Sequence, residues 1–536
     1  MRILAIILLF SLSASANVYY VSPSGSDGAA GAIGSPRFNL NAIWSLVSAG
    51  DTVYMRGGTY TYSTQQYLTG KNGTSGNLIK IWAYPGESPV ITRGASFSKP
   101  NWHRGMVFLS GNYIHVKGIR FTGMYTDDNQ VDAGLQTWNV NNCIFELLEC
   151  DNNVEGMIIQ NDSDNNLVLN CDFHDNYSNY GGSNGGNSDG IGITYMLGLS
   201  TTTTIRGCRA WNNGDDGFDT FENGGYVLID SCWAWHNGYN KGSNTSAGDG
   251  VGFKLGSDFL TTPAGTGVVK RRLQRSMAWD NRNAGAHINE ADHSTEIYNN
   301  TFFRNVITGL NFHYNNRVHY FRNNVSLSNG NRQVEVSGAS TNQTNSTDGG
   351  YNDGGWSTNA STGDFVSIDT AGQRGARQAN GTLPVRTFLT LTSGSDLINA
   401  GTAISGISYI STAPERGAHE YGAGGNLSPT ANAGTDQTIT APTSSVTLSG
   451  SGTDSDGTIS SYLWSLVSGA AVSFDTPTSA STNVSGLTAG TYVFRLTVTD
   501  NGSATGTDDI TVIVNAAPST DPPARRLNIG RRLIIQ

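Results

Sequence analysis

The sequence predicts an all-β protein: a parallel β-helix, in which coils of short strands stack into a solenoid, followed by a small immunoglobulin-like β-sandwich. Three observations predict this. Only 14% of the residues are charged and 67 are glycine, a composition that favours strands and turns over helices. A motif ending in Asn recurs along the first part of the chain, and alternating apolar and polar residues follow each copy.

The repeated motif predicts one coil of the solenoid. Its clearest copies are Leu169–Asn176, Arg206–Asn213 and Asp230–Asn237, and three weaker copies follow. A repeat of about 24 residues suits a coil of three short strands. We expect the Asn residues to stack at a bend, where amides can hydrogen-bond along the stack, and the Cys residues to stack inside the coil. These stacks are Asn176, Asn213, Asn237, Asn281, Asn305 and Asn329, and Cys150, Cys171, Cys208 and Cys232.

A strand is predicted after each copy of the motif, beginning at a shared glycine. The residues one and three positions after this glycine are mostly apolar, and those two and four positions after it are polar or Gly, which is typical of a strand with one buried face. Stacked coils bring these strands side by side, about 4.8 Å apart. The aligned glycines are Gly156, Gly190, Gly217, Gly250, Gly285 and Gly309.

Four segments are expected along the chain. Residues 1–16 combine a basic start, a short apolar run and a small-residue end, which predicts an export signal and a secreted protein. Residues 17–425 form the predicted β-helix, continuing to about Tyr421. Residues 426–515 form the β-sandwich, with Trp464 as a candidate core aromatic, and residues 516–536 are a linker and a basic tail.

The net charge, the hydropathy and the cysteine content argue against several classes of protein. The net charge of −10 argues against nucleic-acid binding. No stretch after the signal is long and apolar enough to span a membrane. The five cysteines are odd in number and lack a CxxC pair, so neither a complete disulfide framework nor a zinc site is predicted. We expect a monomer.

Carboxylates cluster at the start of two successive predicted strands. Asp189 and Asp216 immediately precede the shared glycines, Asp215 precedes Asp216, and Asp219 projects outward two positions after Gly217. Carboxylates packed this closely raise one another's pKa and repel. A hard cation removes the conflict, and calcium accepts several carboxylate oxygens in an irregular cage. The alternative is a solvated acidic surface.

Lys254 is the candidate general base. With Gly250 as the shared glycine, Lys254 lies two residues and one coil from Asp219, roughly 8 Å between backbones. Beside a divalent cation the pKa of Lys254 should fall, and a neutral amine can remove a proton. The alternative is a lysine that only balances the Asp cluster. The same alignment makes Asp249 continue the column of Asp189 and Asp216, as an outer group of the site.

These motifs resemble the family 9 polysaccharide lyases of the pectate lyase type. The resemblance rests on Asp189–Gly190, Asn213–Asp219 and Gly252–Gly256, and it covers roughly residues 17–421. It implies a right-handed parallel β-helix, calcium held by Asp189, Asp215, Asp216 and Asp219, and Lys254 as the base. The implied substrate is an acidic pectic polymer, either pectate or rhamnogalacturonan, cleaved by β-elimination.

The C-terminal segment resembles the polycystic-kidney-disease (PKD) domain of many secreted bacterial carbohydrate enzymes. The resemblance rests on Ala433–Gln437, Asp454–Ile459 and Leu496–Asp500.

Further polar side chains are expected on the same face as Lys254. His287, Asn289, Asn311 and His313 are candidate sugar contacts, with solvated surface as the alternative. Two other functions stay open. A polygalacturonase-type hydrolase would use carboxylates around a water, although no Gly-His-Gly turn is found. A non-catalytic adhesin would use the solenoid as a sugar-binding surface.

Overall fold

The computed structural model divides the chain into two compact units, Met1–Tyr421 and Gly422–Gln536. The predicted export signal and basic tail lie almost entirely outside the described residues. No helix in the described part of the chain is long and apolar enough to cross a membrane. The described residues are 16–99, 104–125, 132–178, 184–196, 201–257, 268–289, 291, 293–313, 317–336, 340–349, 352, 355–421, 428–454, 458–500 and 504–517.

The first unit is a parallel β-helix, as predicted. Each coil contributes one strand to each of three parallel sheets, and short alternating strands allow one face to line the interior. The first sheet contains twelve strands: Val18–Val21, Thr52–Met55, Ile79–Ala83, Ile114–Lys117, Ile144–Glu146, Asn166–Leu169, Thr202–Arg206, Tyr226–Asp230, Val269–Gln274, Ser294–Tyr298, Tyr320–Arg322 and Thr341–Gln343.

The second and third sheets complete each coil. The second sheet has eleven strands: Gly58–Thr64, Pro89–Ser98, Arg120–Thr122, Glu149–Asp151, Asp172–His174, Arg209–Trp211, Trp233–Trp235, Met277–Trp279, Thr301–Phe303, Val325–Leu327 and Ser346–Thr347. The third sheet has ten strands: Gln66–Leu68, Gly105–Leu109, Ala133–Trp138, Glu155–Gln160, Ile191–Thr194, Phe218–Phe221, Phe253–Ser257, Ala284–His287, Thr308–Phe312 and Arg332–Val336. A short α-helix, Leu40–Trp44, precedes the first full coil.

The coil interior is apolar and the turn before the third sheet carries the predicted Asn ladder. Ile191, Phe218 and Phe253 are fully buried neighbours in the third sheet, and the two phenylalanine rings stack with centroids 5.0 Å apart. Each ladder Asn before the last donates from Nδ2 to the Oδ1 of the next, over 2.9–3.0 Å, and the last, Asn329, donates to Gln333 Oε1. The ladder satisfies buried amides that would otherwise cost stability. It runs through Asn176, Asn213, Asn237, Asn281, Asn305 and Asn329.

The Cys stack was predicted with one wrong member. Cys171, Cys208 and Cys232 are buried at the turn between the first and second sheets, and the amide of Cys171 donates to Cys208 Sγ. Cys150 instead lies within a second-sheet strand, paired with Phe173. The residue that aligns with Cys171 is Leu148, because its amide donates to Cys171 Sγ. All five cysteines are free thiols.

The solenoid ends earlier than predicted. Its last sheet strand is Ser346–Thr347, and the described residues 355–421 add only the short 3-10 helix Thr362–Asp364. This segment covers the outer face of the second sheet, where Trp211, Trp235 and Trp279 stack face to face. Phe388 packs edge-on against Trp279. An outer aromatic face therefore becomes a second hydrophobic core.

The second unit is a β-sandwich, as predicted. Its four-stranded sheet is ordered Gln437–Thr440, Thr505–Asn515, Gly490–Asp500 and Ile459–Ser468. The other strands are Ser445–Ser449, Ser481–Ser485 and Ser473–Phe474 in one sheet, and Thr430–Asn432 with Ser451–Thr453 in another. Trp464 is 2% exposed in a core shared with Phe494 and Leu448.

Candidate active site

The site lies where strands of the third sheet begin. Asp189 and Asp216 occupy the same position on successive coils, as predicted, because the following strands pair Ile191 with Phe218. In each of them one carboxylate oxygen accepts a hydrogen bond from a backbone amide of the next coil. The amide of Asp216 donates to Asp189 Oδ1 over 2.9 Å, and the amide of Val251 donates to Asp216 Oδ1 over 2.7 Å. The carboxylates therefore form a column along the solenoid.

The predicted register of the next coil was wrong by two residues. Phe218 pairs with Phe253, so the shared glycine of that coil is Gly252 rather than Gly250. Val251, not Asp249, follows Asp216 in the column. Lys254 consequently pairs directly with Asp219 instead of lying two residues further along its strand.

Three of the four predicted metal ligands come together. Carboxylate oxygens of Asp189, Asp216 and Asp219 lie within 4.8 Å of one another, and all three residues are buried. Asp215 belongs to a neighbouring cluster with Asp216 and Asp249. Its carboxylate accepts hydrogen bonds from the backbone amides of Asn187 and Asp249, so Asp215 also holds the surrounding loops in place.

Lys254 is 7% exposed and points into these carboxylates. Its Nζ lies 2.9 Å from Asp216 Oδ2, 3.1 Å from Asp249 Oδ2 and 3.8 Å from Asp219 Oδ2. Asp249, placed wrongly in the column, still contacts the site through this ion pair. A single amine thus balances several carboxylates.

The electrostatics of the Asp cluster are those of a site crowded with negative charge. Burial and the charge of Asp219 raise the pKa of Asp189 well above its usual value. Burial and the charge of Asp216 raise the pKa of Asp215 to about 8. Burial raises the pKa of Asp216, and it raises that of Asp219 to about 6 although Lys254 opposes both shifts. In this cluster the ionised form of the carboxylates is unfavourable unless additional positive charge lies nearby.

The pKa of Lys254 moves opposite to the shift predicted for a metal-loaded site. Burial alone would lower it, but attraction to Asp216 and Asp219 raises it well above its usual value in the protein alone. Lys254 therefore serves as the counter-charge of the cluster.

The donor set fits a hard divalent cation. The oxygens are carboxylates, which suit such ions. Asp216 Oδ2 is buried and accepts no well-formed hydrogen bond among the described residues, although Lys254 Nζ is near. Asp189, Asp216 and Asp219 could therefore supply ligands to one ion.

Two of the four candidate sugar contacts extend the outward column of the third sheet. His287 pairs with Lys254, and Asn311 pairs with His287. Burial and the Lys254 charge lower the pKa of His287 to about 4. Asn289 and His313 lie just beyond the ends of their strands, and His313 is exposed and within 3.1 Å of Glu335.

Sequence reasoning missed one carboxylate. Glu155 precedes Gly156, and the strands pair Met157 with Ile191, so Glu155 stands before Asp189 in the same column. It is buried. The sequence carries the signal, since Glu155–Gly156 aligns with Asp189–Gly190.

Comparisons with known proteins agree with this architecture. A family model described as "Pel9A-like, right handed beta helix region" matches residues 19–342, and a PKD domain model matches residues 433–514. Pectate lyase L of Dickeya chrysanthemi is 33% identical over 418 residues, which cover 75% of this chain and 90% of that protein. Pectate lyase PEL9 of Emericella nidulans is 30% identical over 406 residues, covering 70% and 93%.

Two solved structures are similar over most of the first unit. The crystal structure of pectate lyase Pel9A has a TM-score of 0.60 and 30% identity, and the match covers 76% of this chain and 97% of that one. A rhamnogalacturonan lyase has a TM-score of 0.60 and 26% identity, covering 70% and 97%.

Proposed function

We propose that this chain, which belongs to the Pel9A-like family of right-handed β-helix proteins and is a polysaccharide lyase, cleaves a pectic uronate polymer by calcium-dependent β-elimination. Polygalacturonate is the first choice of substrate and rhamnogalacturonan the second, because pectate lyases are the more similar relatives. The observation that carries the proposal is the position of Lys254, whose Nζ lies 2.9 Å from the buried Asp216 carboxylate, in a cluster that also contains the buried carboxylates of Asp189 and Asp219.

In this mechanism Asp189, Asp216 and Asp219 would hold the cation. Asp215 would keep the loops around the site in place through the hydrogen bonds that it accepts from the backbone amides of Asn187 and Asp249. Calcium, when bound, supplies the positive charge that offsets the uronate carboxylate and the charge developing as the C5 proton leaves. The carboxylates then no longer depend on Lys254 as their counter-charge.

Lys254, in its neutral form, removes the C5 proton; the electron pair of that C–H bond forms the C4=C5 double bond as the C4–O4 bond breaks, and the leaving oxygen takes a proton from water, which leaves an unsaturated uronate. The direct pairing of Lys254 with Asp219 on the adjacent coil, about 4.8 Å between backbones, supports this role. His287 and Asn311, on the next two coils, are proposed to hydrogen-bond the sugar, with Asn289 and His313 at the strand ends. We also propose export through residues 1–16.

An assay with pectate and with rhamnogalacturonan tests the function. Each polymer is incubated with the protein in calcium and in chelator, and both ultraviolet absorbance and reducing ends are followed. If the protein is a calcium-dependent lyase, unsaturated products that absorb in the ultraviolet form in calcium but not in chelator. New reducing ends without absorbance would indicate a hydrolase, and binding without shortening would indicate an adhesin; either result contradicts the proposal. The Lys254→Ala variant is the control for contaminating lyase.

A further inference from the structure

A polar cavity of about 350 Å³ lies beside the turn that ends the second-sheet strands. The side chains that line it offer amide, aromatic and basic groups, and none of them belongs to the cation ligands, the base or the sugar contacts proposed above. They include Asn212, His236, Tyr239, Asn240, Asn244 and Arg374. A concave site with a few polar groups is where a small ligand or one unit of a polymer binds.

The inner wall of this cavity is a column of polar side chains, one from each coil. Asp175, Asn212 and His236 follow paired strands of the second sheet, so they stack on successive coils. Asn212 Nδ2 donates to Asp175 Oδ1 over 3.0 Å, and Asn212 Oδ1 lies 2.9 Å from His236 Nδ1. The ring of Tyr239 stacks on that of His236, with centroids 4.5 Å apart. Neighbouring side chains therefore hold this wall in place without a ligand.

The outer wall is the loop of residues 239–246, which is held by its own hydrogen bonds. The amide of Asn240 donates to the carbonyl oxygen of Thr245 over 2.8 Å, and the Tyr177 hydroxyl donates to Asn240 Oδ1 over 2.9 Å. The side-chain amides of Asn240 and Asn244 therefore line the cavity from an ordered loop. Amide groups of this kind both donate to and accept from hydroxyl groups, as sugar binding requires.

Arg374 supplies a cation at this cavity. It is exposed, and its guanidinium makes neither a hydrogen bond nor an ion pair with another described residue. Its backbone is nevertheless fixed, because the buried Arg209 donates to the carbonyl oxygens of Gln373 and Gly375 over 3.1 and 2.9 Å. Arg209 is held in turn by Asp172. Arg374 is therefore available to bind a carboxylate through two N–H groups.

A second cavity, of about 310 Å³, continues the first along the solenoid. It is lined by Asn152 and Asp175, from the two coils before Asn212, and by Lys241 of the same loop. Lys241 Nζ contacts Asn152 Oδ1, and the Asp175 carboxylate is paired with His174 Nδ1 at 2.7 Å. Each cavity thus has one basic side chain. Two adjacent cavities with this chemistry fit consecutive units of an acidic chain better than one small anion.

We propose that the two cavities form a second binding site for the acidic pectic chain, in which Arg374 binds a uronate carboxylate and the amides of Asn240 and Asn244 bind hydroxyl groups. The identity of the ligand rests on the function proposed above. Basic side chains at this surface offset the repulsion between a polyanion and a protein of net charge −10. A polymer held both here and at the cation site dissociates more slowly than one held at a single site.

Calorimetric titration with trigalacturonate in chelator tests this site, because neither calcium binding nor elimination then contributes. Arg374→Ala should weaken binding by about tenfold, the effect of losing a charge-assisted hydrogen bond. Ser243→Asp should also weaken it, since the new carboxylate lies at the cavity while Asp can still accept the amide of Thr245. Lys80→Ala, which removes the same charge on the first sheet, should change affinity by less than about twofold.

The methyl-esterified trisaccharide and the calcium affinity complete the test. The ester should bind the parent about tenfold more weakly than the acid, and Arg374→Ala should leave calcium affinity within about twofold of the parent. No binding of trigalacturonate in chelator, or equal binding by the parent and both cavity variants, would overturn this site. Either result leaves the proposed function standing if the polymer is still eliminated in calcium. Binding that depends on Arg374 without elimination in calcium would instead keep the site and reject the proposed function.

Discussion

Two stacks of polar residues run along the solenoid within a few residues of each other, and they are built differently. In the Asn ladder, Asn213 accepts from one neighbour and donates to the next, so every buried amide is satisfied within the protein. In the carboxylate column, Asp216 accepts from Val251 but ionised neighbours cannot donate to it. The same stacking geometry therefore has two outcomes. The Asn side chains satisfy one another's hydrogen bonds, whereas the carboxylates, three residues later in the coil, require positive charge from another group.

This difference separates stability from function. Amides that complement one another rigidify the coil without needing anything from outside. Carboxylates that repel one another in a buried setting need a cation, and such sites are where perturbed pKa values accumulate in enzymes. Changes to the ladder should affect unfolding, whereas changes to the column should affect cation binding and catalysis.

The largest effect is expected at Lys254. Lys254→Ala should lower the elimination rate by roughly 10²–10⁴-fold, since general base catalysis contributes about that much. Lys254→Arg should fail almost as badly, because a guanidinium stays protonated and cannot accept the C5 proton. Rates at saturating calcium check both, with Lys80→Ala on the first sheet as the control. Near-normal turnover of the Arg variant would exclude Lys254 as the base.

A break in the ladder should cost stability and spare calcium binding. Asn237→Ala removes the bonds to Asn213, Asn281 and Ala210, and should lower the free energy of unfolding by about 2–4 kcal/mol, since buried groups lose their partners. Denaturant melts measure this, with Asn244→Ala in an exposed loop as the control. A loss of calcium affinity in the folded variant would show that the two stacks are not separable.

The column should make the calcium-free protein less stable as pH rises. Raised pKa values in the folded state mean that folded Asp215 and Asp219 bind more protons than the unfolded chain between about pH 4 and their folded values of about 8 and 6. Stability contributed by these groups is therefore present at low pH and lost as pH rises through that window. Melting temperatures across pH 7–9 in chelator, above the range in which buried histidines such as His287 affect stability, should show this decline through Asp215, and saturating calcium should flatten it. A rise with pH in chelator would contradict the shifts.

The smallest effect on catalysis is expected from removing the second unit. A protein ending before residue 426 should melt cooperatively and cleave soluble polymer at a near-normal rate, because the β-helix has its own hydrophobic core. Calorimetry and the absorbance assay check this. Loss of cooperative melting in the truncated protein would place the boundary elsewhere.

Most of the fold could be predicted from the sequence because the motif of one coil is repeated along the chain. The Asn ladder and the strands after it were predictable because each coil repeats the same contacts. The structure of the last part of the first unit could not be predicted in this way, because residues 355–421 pack against Trp211, Trp235 and Trp279 without repeating any motif. Their role depends on tertiary contacts that no local pattern records.

The error at Gly250 has a definite physical cause. Strand alternation has a period of two, so a shift by two residues keeps the same face outward. The run Gly250–Val251–Gly252–Phe253 satisfies the pattern in either register. Pairing of Phe218 with Phe253 decides between them, and that contact is visible only in three dimensions. Glu155 was missed for a related reason, since its length sends the carboxylate to Gly192 instead of the next amide.

Calcium titration of the parent protein and of Asp219→Asn by calorimetry tests the central claim most directly. Asp219 makes no ladder contact, and Asn keeps its shape while removing one charge. We expect that the parent binds calcium and that the variant loses at least about tenfold in affinity, with a melting temperature in chelator that is unchanged or higher. Equal calcium affinity in the two proteins would contradict the assignment of the carboxylate column as a cation site.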